Sequence, residues 1–345
     1  MNEPILTIVV PCYNEEEVLP YTFKELKGLM SELVQERLVS DRSRLLFVDD
    51  GSIDQTWTFI YKETIQNQYV RGLKLARNVG HQNALLAGLF KAKELSDCII
   101  SIDADLQDDC AVIKEFLKKY KEGYEIVYGV RVKRESDTFF KRTTAQSFYK
   151  LMKLMGVDLV YNHADFRLMS KRAVEKLEKF EEINLFLRGI VPLIGFNSTS
   201  VYYERKERKA GKTKYPLKKM LSFAFDGITS FSITPIRSVL FIGLVSFFGS
   251  LAFALYFLCL KFFGATELGW TSLITSIWLI GGLQLIAVGI IGEYIGKIYK
   301  EVKRRPKYII DIDAYTVALP EHFKDSGGLE DETRFLERGE IFKSN

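Results

Sequence analysis

Short apolar runs separated by helix-period stretches fill the first 130 residues, and this alternation constrains the fold more than any other feature of the chain. Residues 6–11 (LTIVVP), 45–48 (LLFV), 72–76 (GLKLA), 98–103 (CIISID) and 125–129 (EIVYG) each read as a strand. The runs are largely β-branched or apolar, as in strands that helices cover on both faces. Residues 82–93 and 111–121 carry the spacing of amphipathic helices. Alternating strands and helices give an α/β fold with a doubly wound sheet, whose ligands bind beyond the carboxyl ends of the strands. Chemistry is therefore expected in the polar residues that directly follow each strand.

The first strand ends in Pro11-Cys-Tyr13-Asn-Glu15. An aromatic ring and a carboxylate there suit a nucleobase, or the segment is a turn whose Asn caps the next helix. The second ends in Asp49-Asp50-Gly51-Ser52 with Asp54 close behind. Gly51 permits a tight turn, an acid can hold ribose hydroxyls, and Ser52 or Asp54 can start a helix. The fourth ends in Asp103-Ala104-Asp105-Leu-Gln107-Asp108-Asp109. If this segment is extended, Asp103, Asp105 and Gln107 point one way, an oxygen set that suits Mg2+ or Mn2+ completed by substrate phosphates. Solvated loop acids are the competing reading. Arg77 and His81 follow the third strand; Arg131, Lys141 and Arg142 follow the fifth and can add positive charge near phosphates. Residues 137–201 read as mostly helical, with a short strand at 166–169. Asp165 lies there, two residues before Arg167. It is either a base or a structural partner for that arginine, and the residues alone favour the partner.

The last third of the chain has a different character. Residues 205–219 (RKERKAGKTKYPLKK) hold eight Lys or Arg against one acid, and 220–232 are amphipathic and aromatic, suited to a headgroup layer. Two charge-free spans follow, about 238–260 and 271–292, each long enough to cross roughly 30 Å of hydrocarbon. Basic residues flank both outer ends, Arg237 and the basic run before them, Lys297, Lys300, Lys303, Arg304 and Arg305 after. The positive-inside rule then predicts a two-helix transmembrane hairpin with both termini cytoplasmic; two buried core helices are the alternative. The expected division is a catalytic domain over 1–204, a juxtamembrane segment over 205–235, the hairpin over 236–296 and a tail over 297–345, polar and partly disordered beyond Tyr308. Four cysteines without a Cys-x-x-Cys and three histidines argue against a zinc site and for a reducing compartment. The first six residues lack a secretory pattern.

Taken in order, PCYNEEE, VDDGSID, RNVGHQNALLAG, DADLQDD and ADFRLMS resemble the family 2 glycosyltransferases of the GT-A fold. Within these, ADFRLMS, FDGITSFSITPIR and GEYIGKIYKEVKRRPKY are similar to the polyisoprenyl-phosphate glycosyltransferases, the bacterial bactoprenol glucosyltransferases more than the dolichol-phosphate mannose synthases. The resemblance spans about residues 5–310. It implies that Pro11, Tyr13, Glu15, Asp50, Asp103, Ala104 and Arg131 hold the nucleotide sugar. Asp103, Asp105 and Gln107 then serve Mg2+ or Mn2+ and the diphosphate; Arg208 and Lys214, with Lys141 and Arg142, grip acceptor phosphate. Asp165 matches an aspartate regarded as catalytic, beside Asp105. Cys110-Ala111 departs from the prolines usual after DLQD, which loosens the loop but removes no ligand. Gln-x-x-Arg-Trp is absent, which favours a single transfer over chain growth.

The implied activity is inverting, metal-dependent transfer of a sugar, by resemblance glucose from UDP-glucose, to undecaprenyl phosphate at the cytoplasmic face of a bacterial plasma membrane. A homo-oligomer is expected and a nucleic-acid partner is not. The rival readings are a membrane-anchored transferase acting on a glycan or protein hydroxyl, a nucleotide-binding regulator without catalysis, and a small transporter, for which two spans without a central charge are few.

Overall fold

The computed structural model describes residues 3–132, 163–182, 187–204, 236–239, 241–245, 248–249, 252 and 270–316. The chain divides into two compact units, the first built on a sheet and the second containing an apolar helix.

In the first unit, β1 (Leu6–Cys12), β2 (Arg44–Asp49), β3 (Val70–Leu75) and β4 (Cys98–Ser101) form the expected parallel core. Helices α1 (Leu19–Gln35), α2 (Thr56–Gln66) and α3 (His81–Ala92) connect them. Every residue of β1 is buried, as a strand covered on both faces requires. On α1, Leu19, Phe23, Leu26, Met30 and Leu33 form the buried stripe of a 3.6-residue period. The rings of Phe23 and Phe47 meet edge-on at 4.7 Å between centroids, locking that stripe to β2. Helix α3 lies closer still: a Cβ at Gly88 would stand 2.4 Å from Val9 Cγ1 and 2.8 Å from Val48 Cγ2.

The sheet is mixed rather than all-parallel. Its eight strands run in the order β7-β5-β6-β4-β1-β2-β3-β8. After α4 (Ile113–Lys121) comes β5 (Ile126–Arg131), which does not join β4. Strand β6 (His163–Ser170) inserts between them, antiparallel to both. Helices α5 (Lys171–Leu177) and α6 (Leu187–Leu193) follow, then β7 (Ser198–Tyr203), parallel to β5. The helical reading of 137–201 therefore missed the start of β7, whose run of Ser, Thr and Tyr lies mostly half-buried at the sheet's edge. Because β6 runs backwards, its amino end, with Asp165, stands at the same edge of the sheet as the carboxyl ends of the parallel strands.

The second unit contains α7 (Trp270–Val302), 33 residues long. Its window Ile280–Val302 is apolar enough and long enough to cross a membrane, and only 6% of the apolar window is buried. The helix passes the expected end at residue 292 by ten residues and carries Lys297 and Lys300 in its last turns. The described parts of 238–260 are helical; the remainder of that span, and so the hairpin, lies outside the described residues.

The described part of the tail adds a strand that the sequence reading did not include. Residues 310–313 form β8, antiparallel to β3, which caps that edge of the sheet. Tyr315 is 5% exposed, with its hydroxyl 2.9 Å from Thr7 Oγ1 and 3.2 Å from Ser96 Oγ. The segment reads as polar because its anchoring depends on a few contacts rather than an apolar run.

Candidate functional site

The loops after β1, β2, β3 and β4 meet at the carboxyl edge of the sheet, where strand order reverses between β1 and β4. Gly51 makes that meeting possible. It has φ +66°, and a Cβ there would stand 2.6 Å from Arg77 C and Asn78 N, so the turn after β2 touches the backbone of the loop after β3. Asp50 clamps the same junction: its two carboxylate oxygens accept from the N–H groups of Val79 (2.8 Å) and Gly80 (2.9 Å). Burial raises the Asp50 pKa, and those two bonds offset only part of the rise. The residue expected to hold the nucleoside thus also ties these two loops together. Pro11 likewise lies buried within β1, beside Val48 in register.

Tyr13 does present a ring to solvent, 39% exposed. Asn14, at φ 52°, is no helix cap; its Oδ1 accepts from Ile53 N–H, and its own N–H donates to Ser52 Oγ. The Glu15 N–H donates to Thr56 Oγ1. Asp54 accepts from the N–H of Thr56, the first residue of α2, in the turn that leads into that helix. The loops after β1 and β2 are thereby tied into one surface.

After β4 the chain is not simply extended. Leu106 has φ 45° and its N–H bonds Asp103 O, a turn the sequence reading did not foresee. Burial still alternates, with Ile102, Ala104, Leu106 and Asp108 inward and Asp103, Asp105 and Gln107 half-exposed. The buried Thr22 hydroxyl on α1 lies 2.7 Å from Ala104 O and holds the loop from behind, and the Gln107 N–H donates to Asp105 Oδ1. Past the turn, Asp109 caps a short 3-10 turn, Cys110–Val112, so the Cys-Ala pair stands in an ordered segment. Asp103 has its pKa raised, first by desolvation and then by the charges of Asp165, Asp108 and Asp105, with His81 opposing. Among the described residues no three His, Cys, Asp or Glu side chains form a metal cage. Two carboxylates and an amide nonetheless fit a hard divalent ion that takes most of its oxygens from phosphate and water.

His81, the first residue of α3, places Nε2 3.5 Å from Asp103 Oδ1. Its place directly after the third strand was the available signal for this neighbour. Arg131, expected at donor phosphate, grips Asp108 with Nε and Nη2 at 2.9 and 3.0 Å. Asp108 is 2% exposed, so this fork supports the acidic loop from beneath.

Beyond β4, Asp165 is held by two arginines. Arg167 Nη2 donates to Oδ1 at 2.5 Å and Arg188 Nη2 to Oδ2 at 3.2 Å. Asp165 and Arg167 lie two apart on β6, hence on one face, and the ion pair read from sequence is present. Arg188 comes from α6, and no local sequence signal marked it. Burial alone would raise the Asp165 pKa; Arg188, Arg167 and His81 outweigh it and hold the carboxyl below its ordinary value. Lys141, Arg142, Arg208 and Lys214 lie outside the described residues.

The sequence profile of glycosyl transferase family 2 matches residues 7–178, which include these loops. The uncharacterized glycosyltransferase YkoT of Bacillus subtilis (strain 168) is 63% identical over 318 residues, covering 92% of this chain and 94% of that protein. The prophage bactoprenol glucosyl transferase homolog of Escherichia coli (strain K12) is 41% identical over 309 residues, 88% of this chain and 98% of its own. Among solved structures, a glucosyl-3-phosphoglycerate synthase from Mycobacterium tuberculosis, crystallised with Mn2+, UDP and phosphoglyceric acid, superposes with a TM-score of 0.43 at 17% identity, over 66% of this chain and 76% of that one. Sequence identity of this extent, across nearly the full length of proteins named as transferases, places the chain in glycosyl transferase family 2, as an enzyme of the GT-A fold.

Proposed function

We propose that this enzyme transfers glucose from UDP-glucose to a polyisoprenyl phosphate such as undecaprenyl phosphate, at the cytoplasmic face of a bacterial plasma membrane. One observation carries the reading. An acidic loop with Asp103, Asp105 and Gln107 half-exposed stands between nucleoside-side loops and an arginine-rich cluster, in a chain 41% identical to a bactoprenol glucosyl transferase homolog. The exposed apolar helix α7 supports membrane attachment.

Tyr13 offers its ring to the base. Asp103, Asp105 and Gln107 would hold Mg2+ or Mn2+, which when bound supplies charge neutralisation for the departing diphosphate. The acceptor phosphate arrives already anionic, so the protein's task is to bring two anions together and orient them. In-line attack forms a bond from acceptor oxygen to the anomeric carbon as the carbon–oxygen bond to the diphosphate breaks. The electron pair leaves with UDP, and the configuration inverts.

The test uses purified full-length enzyme, labelled UDP-glucose and undecaprenyl phosphate, with Mg2+, Mn2+ or a chelator. Label should pass into the organic phase with either metal and not with the chelator. Asp105→Asn should reduce transfer to background without lowering the thermal midpoint. Label that turns over but stays in water would refute the lipid acceptor, and an active Asp105→Asn would refute the role of the acidic loop.

A further inference from the structure

Strand β8 reaches further along β3 than β2 does. The register between β2 and β3 ends at the pair Asp49 and Lys74. On the other side of β3, Leu73, Lys74 and Leu75 stand opposite Asp313, Ile312 and Ile310, the register shifting past Asp311. The Ala76 N–H then donates to Ile309 O at 3.0 Å. The last two positions before the loop at 77–80 are thus met by the C-terminal segment. That loop is the one pressed against Gly51, and its far side is held by Asp50 through the N–H groups of Val79 and Gly80. Strand β8 fixes where the loop departs, and Asp50 fixes where it arrives.

The two ends of β8 are held differently. Ile309 and Ile310 are 61% and 36% exposed, so the start of the strand gains little from burial. Its ties there are polar: the Ala76–Ile309 bond, and Lys307 Nζ donating to Phe180 O at 3.0 Å. The other end is anchored in the protein. Ile312 packs against the core. Asp313 pairs with Lys91 of α3 at 2.9 Å and accepts from the N–H groups of Tyr315 and Thr316 at 2.9 and 3.2 Å. The buried Tyr315 hydroxyl meets Thr7, Ser96 and the Ala92 carbonyl at the amino edge of the sheet. Because β8 runs against β3, this anchor lies on the order of 15 Å from the end that it keeps in place, the edge where ligands bind.

We propose that β8 belongs to the donor site, as a strap whose Asp313 and Tyr315 are positioning residues that hold the 77–80 loop in its nucleotide-binding arrangement. The assignment rests on the glycosyl-transfer reading above, in taking UDP-glucose as the donor. A loop tethered at both ends keeps one arrangement. With its departure point released it samples others, and apparent affinity falls by the fraction of molecules that retain the competent one. The loss falls on the donor because the rest of the site has its own ties. Thr22 and Arg131 hold the acidic loop, and Arg167 and Arg188 hold Asp165.

The experiment titrates full-length wild type, Tyr315→Phe, Tyr315→Ala and Asp313→Ala with UDP in the presence of Mg2+ or Mn2+, and measures kcat and KM with UDP-glucose and undecaprenyl phosphate. Tyr315→Ala should weaken UDP binding and raise the KM for UDP-glucose about three- to thirtyfold, the range of couplings between separated positions. The KM for undecaprenyl phosphate should stay within about twofold and kcat within about threefold, as when donor binding alone is lost. Faster hydrogen exchange in 76–80 and 309–316 should accompany the change. Asp313→Ala, which loosens the same anchor from outside the core, should shift the donor in the same direction by less. Tyr315→Phe, which keeps the buried ring, should bind UDP as wild type does. Thermal midpoints show whether each variant is folded; if Tyr315→Ala is not, Asp313→Ala decides. Unchanged UDP affinity in the deciding variant overturns the assignment, and so does an equal rise in both KM values, which marks general loosening. A wild type that binds UDP but puts no glucose on lipid sinks the lipid-acceptor reading alone and leaves the UDP titration to decide this one. A wild type that binds no UDP sinks both.

Discussion

Replacing Asp165 with alanine should destabilise the enzyme before it says anything about catalysis. The carboxylate compensates Arg167, a guanidinium whose side chain is 1% exposed and whose Nε and Nη1 have no hydrogen-bond partner among the described residues. Asp165→Ala leaves that cation buried and uncompensated, a change that costs about 3–5 kcal/mol. For a domain of about 150–250 residues each kcal/mol lowers the midpoint by roughly 2–4 °C, so a drop of about 6–20 °C is expected. Calorimetry of the purified full-length enzyme measures it. The double variant Asp165→Ala/Arg167→Met removes the orphaned charge and fills its volume, and should recover most of the loss. The pH dependence has a definite sign. Against burial, which alone would raise it, the arginines hold the folded-state carboxyl below its ordinary value. Its contribution is therefore complete above the unfolded value of about 3.9 and is lost as pH falls through the folded one. The gap between wild type and Asp165→Ala should be full at pH 7 and narrow only below about pH 4. A midpoint within about 2 °C of wild type at pH 7, or a double variant no more stable than the single one, would refute the reasoning. Inactivity of Asp165→Ala then identifies no base by itself.

Two further perturbations probe the scaffold. Gly51→Ala puts a Cβ at φ +66° and 2.6 Å from the Arg77 and Asn78 backbone. The left-handed conformation alone costs about 1–2 kcal/mol, and the displaced loop should weaken UDP binding by several-fold in titration calorimetry; wild-type affinity would show that the loop contact is irrelevant to the donor. Tyr315→Phe removes a hydroxyl that lies near Thr7 and Ser96, which stay 2.6 Å apart, so about 1 kcal/mol is expected, against about 3–5 kcal/mol for Tyr315→Ala. In the alanine variant hydrogen exchange should accelerate in 310–316 and in β3, and unaltered exchange would show that β8 docks without Tyr315.

Much of the architecture is local in origin. Four parallel strands, their covering helices and the acidic loop after β4 were legible because burial on both faces demands unbroken apolar runs, and because ligands gather where such strands end. The Asp165–Arg167 pair was legible for a similarly short-range reason: residues two apart on a strand share a face. The apolar stretch now in α7 was visible from composition, although its helix runs on past that stretch to Val302.

Pairing and partners were not local. Hydrophobic periodicity says that a strand is buried and not beside which neighbour, so β6 inserting antiparallel between β4 and β5 emerged only in three dimensions. The same limit hid β8, held by a few long-range contacts, and the duties of Asp50 and Arg131, whose partners lie 29 and 23 residues away. It hid Arg188 most completely, because that arginine acquires its place only when α6 docks on Gln82 and its head group reaches β6. The amino-acid sequence determined which groups stand at the edge of the sheet. Folding decided which of them face one another, since charges separated along the chain acquire their energies only at the distances the tertiary structure imposes.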